Sequence, residues 1–344
     1  MRVAQLVAPR RFELGEAPRP EGGPGEVLVR VRSVGVCGSD LHNFSVGAVG
    51  DQPAQFPMVL GHEPAGEVVH CGAGVSGFRP GDKVLLEPAI YCYHCEFCLT
   101  GRHNVCRNLR FLSQPRDPGF LRDYVALPAH NLLPLPENLS LEEGTLFEPL
   151  AVVLHAMKFA AVQFGETAAV FGAGPIGLLT VAALKMAGVA RVWAIEPVAA
   201  RRELALKLGA DAAIDPGATN AREVLAAESR GRGVDLAVDC ATRGTSLNDC
   251  LHVTRNAGRV VVIGIPYEPV VTLDFHVMRR KELGFYNVRR SNRESEAAVA
   301  LLRDRPQLFR PMLTHILPLE EVQRGFELLE AYADGVGKLV IRLG

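Results

Sequence analysis

The sequence lacks an excess of charge of either sign. Its 37 lysine and arginine residues offset 38 aspartate and glutamate residues, so the formal net charge is -1 at pH 7. Both signs are scattered along the chain rather than gathered into blocks. Because binding to nucleic acid or to an anionic membrane surface needs a basic patch, we expect neither as a partner.

Long apolar runs are also missing. No stretch approaches the roughly 20 consecutive apolar residues that a membrane-spanning helix needs. The opening stretch MRVAQLVAPRRFELGEAPRP contains no apolar region typical of a secretory signal peptide. The sequence therefore predicts a cytoplasmic protein, in a compartment where clustered thiols more often bind metal than form disulfides.

Cysteine is scarce, with eight residues in 344, yet half of them fall in the stretch YCYHCEFCLTGRHNVC. They are Cys92, Cys95, Cys98 and Cys106. Thiolates spaced by two residues can bend around one ion, and a fourth closes the tetrahedron from beyond a turn, which predicts a structural zinc site closed to chemistry. An iron–sulfur cluster is the weaker alternative, because such runs carry a proline after the remote fourth cysteine, where this chain has Arg107.

Patterning divides the chain into segments, and its length is sufficient for two hydrophobic cores. Residues 1–150 contain alternating stretches such as EVLVRVRSVGVC, which predict strands joined by loops. From 151 to 280, short apolar strands alternate with helical stretches, which predicts a parallel sheet covered by helices on both faces. Residues 281–344 contain two helical stretches and a closing strand, GKLVIRLG.

A glycine-rich turn, GAGPIG, follows the apolar strand TAAVF and opens an apolar helix. In that setting a GxGxxG pattern predicts a dinucleotide site, because the glycines permit a tight turn, approach of the pyrophosphate and packing of helix on strand. The N-terminus of the helix then faces the phosphates. The predicted contacts are Gly172, Gly174, Pro175, Ile176 and Gly177.

Glu196 ends the next predicted strand, nineteen residues after Gly177, where an acidic side chain binds the ribose 2′-hydroxyl. A carboxylate there repels a 2′-phosphate, so this position favours NAD over NADP. Arg201 and Arg202 follow closely, and a cation near the ribose favours NADP instead.

Three further motifs supply a second candidate metal set. Cys37 lies in VGVCGSDLHNF, His62 and Glu63 lie in VLGHEPAGEVV, and Glu148 lies in LFEPLAVVLHA. Singly, such residues are most often a buried cysteine, a surface histidine and a glutamate at a helix start. Together, one thiolate, one imidazole and one carboxylate suit a zinc ion whose fourth position stays open.

These motifs occur in an order and at a spacing that resemble a known family. The segments CGSDLH, GHEPAGEVVHCGAGVSGFRPGDKV, GRHNVC, EPLAVVLHA and GAGPIG resemble the zinc-dependent medium-chain dehydrogenases, in particular their sorbitol (polyol) dehydrogenase branch. The resemblance implies an α/β protein. A GroES-like, mostly-β catalytic domain with the structural zinc loop spans residues 1–150. A Rossmann NAD-binding domain with a doubly wound parallel sheet spans 151–280, and residues 281–344 return to the catalytic domain.

The resemblance also implies roles for the second metal set. Cys37 and His62 resemble two ligands of a catalytic zinc, and Glu63 resembles the third ligand in polyol dehydrogenases. Glu148 stands where those enzymes have a glutamate that binds the zinc or its water. We therefore expect Glu63 and Glu148 to share the role of binding the zinc or its water. Asp40 matches an acid that orients the zinc-binding histidine.

Two residues after Cys37, Ser39 resembles the hydroxyl that takes the substrate proton, and His42 resembles a relay toward solvent. The plainer alternatives are a local turn for Ser39 and a surface position for His42. The positions that resemble family contacts to NAD are Ile176, Glu196, Arg201, Ile263, Gly264 and Ile265.

Two departures from the polyol branch bear on the substrate. Asn43 stands where polyol dehydrogenases often have a tyrosine that touches substrate. Arg289 and Arg290 are adjacent where the family usually has one arginine near the substrate or nicotinamide. An added cation suits an acidic sugar such as an aldonate, and the alternative is an arginine that faces solvent.

The resemblance implies a zinc-dependent oxidoreductase that transfers a hydride from a secondary hydroxyl of a polyol, sugar or sugar acid to NAD. It implies one catalytic and one structural zinc per chain, and a homotetramer or homodimer in which VVTLDF is an edge strand that pairs between subunits. One alternative is a zinc-dependent dehydrogenase of another alcohol or of threonine. An alternative of another class is a non-catalytic protein that binds NAD and zinc.

Overall fold

The computed structural model describes all residues, 1–344, and the chain divides into two compact units. The first, which we call the split unit, comprises Met1–Glu148 and Asn292–Gly344. The second, the inserted unit, is Pro149–Ser291. None of the helices combines the length and the apolar character that crossing a bilayer requires.

The strands are, in chain order, β1 (Arg2–Ala8), β2 (Arg11–Glu16), β3 (Glu26–Gly35), β4 (Ala48–Val49), β5 (Gln52–Pro53), β6 (Glu63–Cys71), β7 (Lys83–Leu86), β8 (Ala89–Ile90), β9 (Arg110–Phe111), β10 (Tyr124–Pro128), β11 (Leu132–Pro134), β12 (Thr167–Phe171), β13 (Arg191–Ile195), β14 (Ala212–Ile214), β15 (Val234–Asp239), β16 (Thr254–Val262), β17 (Gly284–Asn287), β18 (Leu313–Pro318) and β19 (Lys338–Arg342).

The α-helices are α1 (Gly38–Val46), α2 (Glu96–Leu99), α3 (Leu141–Gly144), α4 (Phe147–Ala160), α5 (Pro175–Met186), α6 (Ala199–Lys207), α7 (Ala221–Glu228), α8 (Ser246–Val253), α9 (Phe275–Arg280), α10 (Ser295–Asp304), α11 (Pro306–Phe309) and α12 (Val322–Glu330). Short 3-10 helices cover His103–Val105, Ala129–Asn131, Arg310–Met312 and Leu319–Glu321.

The split unit is built on a seven-stranded sheet. Strands β11, β7, β6, β3, β19 and β18 are neighbours in that order, and β10 also pairs with β3. The pairs β3–β6 and β3–β19 are antiparallel, and the register places Gly35 opposite Glu63 in one pair and opposite Val340 in the other. The carboxyl end of β3 therefore lies beside the start of β6, which brings distant parts of the sequence together.

Aromatic packing holds helix α1 against this unit. The ring centroid of Phe44 in α1 is 5.2 Å from that of Phe326 in α12 and 5.8 Å from that of Phe12 in β2. Phe44 and Phe326 are fully buried. Such pairs contribute about 0.5–1.5 kcal/mol beyond the burial of their area, so they help to fix the position of α1.

The inserted unit is built on a six-stranded, wholly parallel sheet in the order β14-β13-β12-β15-β16-β17. Counted along the unit, the strand order is 3-2-1-4-5-6, which is the order of the Rossmann fold. The order reverses between β12 and β15, and ligands of such sheets bind at the carboxyl ends of the strands at that point. The predicted α/β fold with a parallel sheet is confirmed.

The sixth strand, β17, is not predicted from the pattern. Its sequence, GFYN, is only four residues long and none of its side chains is fully buried, so it gives no apolar run and no clear alternation. Because β17 pairs with β16, the inserted unit continues to Ser291, beyond residue 280 where the sequence predicts the return.

Within the single chain, VVTLDF pairs with no other strand, and its predicted pairing between subunits stays a prediction. Residues 270–274 form no strand, and Phe275 begins α9. The backbone of this segment is tied to the Asn248 side chain in α8, which donates to the Thr272 carbonyl at 3.1 Å and accepts from the Asp274 N–H at 2.8 Å. The edge of the sheet on this side is β17.

Candidate functional site

One cluster of metal-ligating side chains lies where β3 ends and β6 begins. Cys37 precedes α1, His62 precedes β6, and Glu63 is the first residue of β6. Because Gly35 of β3 is opposite Glu63, the sheet brings these segments together. The sulfur of Cys37, an imidazole nitrogen of His62 and a carboxylate oxygen of Glu63 all lie within 4.8 Å of one another.

Asp40 connects the segments that carry these ligands. Its Oδ2 accepts a hydrogen bond from the Cys37 N–H at 3.2 Å, and its Oδ1 lies 3.3 Å from His62 Nδ1. Oδ1 also accepts from the Gly61 N–H at 3.2 Å and the Ser113 hydroxyl at 2.9 Å. Burial alone would raise the pKa of Asp40, but His62 and the two N–H groups hold it below its usual value.

The position of this carboxylate determines which nitrogen of His62 can bind a metal. A carboxylate beside Nδ1 leaves Nε2 for the ion, which is the arrangement that orients zinc-binding histidines. The predicted role of Asp40 stays a prediction, and the contact to His62 is the geometry that it requires.

Lys338, which the sequence does not single out, is buried against this cluster. The side chains of Lys338 and Glu63 are each 1 % exposed. The Lys338 ammonium donates to Glu63 Oε2 and, at 2.9 Å, to the Val36 carbonyl. A Cβ on Gly35 would lie 2.1 Å from Glu63 Oε2, so the absence of a side chain at this position leaves room for the pair. Lysines are rarely buried, so the sequence carries no signal for this contact.

The other carboxylate oxygen of Glu63, Oε1, is buried and has no hydrogen-bond partner. A buried charged oxygen without a partner is costly, so a cation beside it would satisfy the site. A thiolate, an imidazole and a carboxylate are ligand types of open zinc sites. The residues present therefore fit a zinc ion with a fourth position available to another ligand.

Glu148 lies near this cluster without belonging to it. It is buried in the first turn of α4 and is not one of the three gathered side chains. Burial raises the pKa of Glu148 to about 8, the charge of His62 opposes that shift, and the carboxylates of Glu63 and Glu87 add to it. Glu148 is therefore within electrostatic reach of the candidate zinc ligands.

Helix α1 carries the predicted proton-transfer residues. Ser39 and His42 are three positions apart on this helix, so their side chains share a face. Ser39 is half-buried, and His42 is buried rather than on the surface. Asn43, predicted to touch substrate, is buried on the same helix.

The four clustered cysteines also form one group. The sulfurs of Cys92, Cys95, Cys98 and Cys106 all lie within 4.8 Å of one another, and none forms a disulfide. The sulfur–sulfur distance is 3.4 Å for Cys92–Cys106, 3.8 Å for Cys95–Cys106 and 3.9 Å for Cys92–Cys98. Tetrahedral zinc with Zn–S bonds of about 2.3 Å needs sulfurs about 3.8 Å apart. This group therefore fits a zinc ion held by four thiolates.

The protonation of these thiols also favours a cation. Hydrogen bonds from the N–H groups of His94 and Cys95, against the effect of burial, lower the pKa of Cys92 to about 5. Burial and the neighbouring sulfurs instead raise the pKa of Cys98 to about 12. All four sulfurs can be anionic together only when a cation offsets their repulsion, because metal binding is what deprotonates such ligands.

The glycine-rich turn follows β12 in the inserted unit. Gly172 has a φ of 88°, in the left-handed region that favours glycine. Gly174 is the N-cap of α5, Pro175 is its first residue and Ile176, partly exposed, is its second. A Cβ on Gly177 would lie 1.8 Å from the Gly172 carbonyl oxygen, so the third glycine lets the helix approach the turn. The N–H groups at the start of α5 are then available to a pyrophosphate.

Glu196 lies beside this turn, directly after β13. It is buried, and its Oε2 accepts a hydrogen bond from the Ala173 N–H at 2.7 Å while its Oε1 accepts from the Val198 N–H at 2.9 Å. These contacts fix the carboxylate next to the turn. Arg202 forms an ion pair with Asp215 at 3.1 Å and donates to the Glu196 carbonyl at 2.8 Å, so it is engaged within the chain.

Arg201 also lies beside the turn. It is buried in α6, and a Cβ on Gly174 would lie 3.9 Å from its Nη1. Its guanidinium therefore lies beside the residue at which α5 begins.

The loops after β15 and β16 meet at the same end of the sheet. The N–H groups of Ile263 and Gly264 donate to the Asp239 carbonyl at 2.9 and 3.0 Å. A Cβ on Gly264 would lie 2.8 Å from the Thr242 hydroxyl, which shows how closely the loops pack. Ile263 is buried and Ile265 is exposed. The structure thus brings the predicted cofactor contacts to the carboxyl ends of the strands.

The two adjacent arginines follow the edge strand β17. Arg289 is exposed, and Arg290 is half-buried with a φ of 54°. Both belong to the inserted unit. Their predicted contact with substrate stays a prediction.

Two family descriptions match most of the chain. Residues 23–137 match the alcohol dehydrogenase GroES-like domain, and residues 175–304 match the zinc-binding dehydrogenase domain. The first match lies in the split unit, with the four-cysteine group and the Cys37 cluster. The second includes the helix α5 that follows the glycine turn.

Individual relatives cover nearly the whole chain. Sorbitol dehydrogenase of Gallus gallus is 37 % identical over 318 residues, which is 92 % of this chain and 89 % of the relative. The structure of L-idonate 5-dehydrogenase from Escherichia coli K-12 matches with a TM-score of 0.90 and 26 % identity, covering 99 % of this chain and 97 % of the other. A zinc-binding dehydrogenase from Sinorhizobium meliloti 1021, solved with NADP, matches with a TM-score of 0.89 and 29 % identity, covering 99 % and 98 %.

Proposed function

The chain belongs to the zinc-dependent medium-chain dehydrogenases, on their sorbitol dehydrogenase-like branch, and from this we propose that it oxidises a secondary hydroxyl of a polyol, sugar or sugar acid with a nicotinamide cofactor. Two observations together carry the proposal. The ligand atoms of Cys37, His62 and Glu63 lie close together, and one buried carboxylate oxygen of Glu63 has no hydrogen-bond partner. The chain also has the strand order and the glycine turn of a dinucleotide-binding fold.

The chemistry divides between bound groups and side chains. A zinc ion held by Cys37, His62 and Glu63 would supply Lewis-acid chemistry that lowers the pKa of a substrate hydroxyl toward neutrality. The nicotinamide supplies the hydride acceptor. The chain's own residues then have to orient these groups and carry the proton away.

We assign the proton path to one face of α1. Ser39 takes the proton from the substrate hydroxyl, and His42, three positions along the helix, receives it next. Asp40 keeps the His62 ring oriented through its contact to Nδ1. Glu63 is the third ligand in this proposal, and Glu148 is the second carboxylate, which holds water or a proton near the open position.

The proposed cofactor is NAD rather than NADP. The Glu196 carboxylate, fixed beside the glycine turn, would accept from the ribose 2′-hydroxyl and repel a 2′-phosphate. Arg202 is engaged with Asp215, so it does not offer a free cation to that phosphate. Because the Sinorhizobium meliloti relative was solved with NADP, the assay measures both cofactors in parallel.

The two zinc sites have different proposed roles. A zinc ion at Cys37, His62 and Glu63 would have an open coordination position, so we assign the catalytic role to this site. A zinc ion at the four cysteines from Cys92 to Cys106 would have all four positions filled by sulfur, so we assign it the structural role of holding its loop. Reduced cysteines in both sites suit a cytoplasmic location, which we include in the proposal.

The substrate class rests on the relatives and on the arginines after β17. Sorbitol is a polyol and L-idonate is a sugar acid, so the relatives span both classes. Arg289 and Arg290 place two cations where the family usually has one arginine, which favours a substrate that carries a carboxylate. We therefore propose that sugar acids are oxidised along with polyols, with Arg289 or Arg290 at the carboxylate.

The test is NADH formation over a panel of sugar alcohols, aldonates, threonine and simple alcohols, with NADP measured in parallel. We expect activity with polyols or aldonates that is larger with NAD and is lost on treatment with a chelator. Activity confined to threonine or to simple alcohols would point to the other dehydrogenase class. No activity from protein shown to carry two zinc ions per chain would favour a non-catalytic NAD- and zinc-binding protein.

We propose a homodimer or homotetramer that joins through the β17 edge. This strand pairs on one side only and carries the exposed Tyr286, and the segment before it carries the exposed Val270 and Phe275. A free strand edge next to exposed apolar groups is typical of a surface that pairs with another copy. Sedimentation of the wild type and of Tyr286→Asp tests this, and a wild-type monomer at micromolar concentration contradicts it.

A further inference from the structure

The inserted unit contains a cavity at the end of the sheet opposite the glycine turn. It has a volume of about 460 Å³ and lies at the amino ends of β15 and β16, where Gly233 and Thr254 form part of its wall. The glycine turn is at the carboxyl end of β12. Because all strands are parallel, the cavity and the dinucleotide site are at opposite ends of the sheet.

An irregularity in β16 shapes this cavity. The pairing of β15 with β16 passes from Val234 opposite Thr254 directly to Leu236 opposite Arg259. The intervening residues of β16 therefore leave the ladder, and two of them, Arg255 and Asn256, line the cavity. Bulges of this kind often re-aim side chains at functional positions.

The walls of the cavity carry only cations among their charged groups. Arg222, Arg232, Arg255 and Lys281 line it, together with His252, and no aspartate or glutamate does. The cations come from α7, from the loop before β15, from β16 and from the residue after α9. Four separate segments thus bring positive charge to the walls, and two aspartates behind the walls offset part of it.

Carboxylates behind the walls hold these side chains in place. Asp235, which is 5 % exposed, pairs with Arg232 and with Arg255, each at 2.6 Å. Burial alone would raise the pKa of Asp235, but these two arginines hold it below its usual range. Arg222 pairs with Asp249 through Nε at 2.5 Å, which leaves its Nη1 and Nη2 groups available to the cavity.

Backbone carbonyls hold Lys281 in the wall of the cavity. Its ammonium donates to the carbonyls of Leu251 and Thr254 at 3.1 and 2.7 Å, at the C-terminal end of α8. Burial and the nearby charge of Arg222 lower the pKa of Lys281. Arg222 already pairs with Asp249, whereas Lys281 has no carboxylate partner, so an anion in the cavity would reduce the repulsion between the two cations.

We propose that this cavity binds a small molecule that carries a phosphate group, with Arg222 and Arg255 as its principal contacts. Arginine binds phosphate through parallel N–H groups, and Arg222 uses only its Nε within the chain, for Asp249. Arg255 uses its Nε for Asp235 and its Nη1 for the Asn256 carbonyl, which leaves its Nη2 for a ligand. The volume exceeds what one phosphate ion needs and is within the range of pockets for small metabolites. The site is separate from the proposed catalytic chemistry and does not depend on it.

The test is calorimetric titration of the full chain, loaded with zinc and saturated with NADH so that the glycine turn is occupied. The ligands are inorganic phosphate and ribose 5-phosphate, with acetate as the control at the same ionic strength. We expect saturable binding of one phosphate compound per chain and none of acetate. Tighter binding of ribose 5-phosphate identifies a phosphate ester as the ligand, and equal affinity identifies free phosphate.

The variants are Arg222→Gln and Arg255→Gln, each confirmed as folded by circular dichroism. Removing one charged contact should weaken phosphate binding about tenfold. The matched control is Arg324→Gln, since Arg324 also forms an ion pair, with Glu321, and belongs to the split unit rather than to the cavity wall. The inference is overturned if the wild type does not bind either phosphate, if acetate binds as well, or if Arg324→Gln weakens binding as much as the cavity variants.

Discussion

The buried pair of Lys338 and Glu63 makes a sharp prediction about stability. Both side chains are 1 % exposed, and the Lys338 ammonium is the partner of one Glu63 oxygen and of the Val36 carbonyl. Lys338→Met keeps the volume and removes the charge, so Glu63 is left as a buried carboxylate without a cation. Breaking a buried ion pair in this way costs about 3–5 kcal/mol, and we expect that loss in the free energy of unfolding of the zinc-free chain.

A double variant and the effect of zinc on stability test this explanation. Lys338→Met combined with Glu63→Gln removes both charges, and we expect it to recover much of the loss because no isolated charge remains. Zinc should reduce the deficit of the single variant, since the ion offsets the Glu63 charge. The assay is urea unfolding followed by circular dichroism, with the exposed Lys83→Met as control. If Lys338→Met lowers the free energy of unfolding no more than Lys83→Met does, the ion pair does not stabilise the site.

Four other substitutions test the two metal sites and the cofactor. Cys37→Ala should abolish NADH formation and reduce the bound zinc by one ion per chain, measured by atomic absorption, with little change in melting temperature. Cys95→Ala should also lose one zinc but lower the melting temperature by several degrees, because a structural zinc contributes directly to folding; an unchanged melting temperature contradicts this. Asp40→Asn should reduce zinc affinity or activity by about 10–100-fold, and wild-type values would remove its orienting role. Glu196→Ala should lower the ratio of kcat/KM with NAD to that with NADP about tenfold, and an unchanged ratio would show that another group selects the cofactor.

Local sequence patterns are sufficient to predict the parts of the fold that are formed by residues adjacent in the sequence. The apolar strand TAAVF, the turn GAGPIG and the helix after it are adjacent, so their pattern predicts one structural unit that the structure contains. The parallel sheet follows from the same alternation of strands and helices. Strand β17 is not predictable in this way, because four residues with partly exposed side chains form a strand only through their pairing with β16.

The candidate metal ligands could be predicted because their residue types carry chemistry. The spacing of the cysteines is by itself enough to indicate a thiolate site. Lys338 carries no such signal, since its burial depends on pairing between strands that are remote in sequence and on the space beside Gly35. The cavity near Arg222 cannot be predicted from the sequence for a similar reason. Its cations are scattered from residue 222 to residue 281, and only the sheet and its bulge bring them together.

The interruption of the split unit has a consequence for how the protein is made. Strand β3 needs β19 as a neighbour, with Gly35 opposite Val340, and the ammonium that faces Glu63 belongs to the first residue of β19. During synthesis, Pro149–Ser291 is complete while that strand is still untranslated. Because domains fold as units when their residues are available, the inserted unit finishes first. The nascent chain therefore completes the inserted unit on the ribosome before the candidate metal site of Cys37, His62 and Glu63 can close.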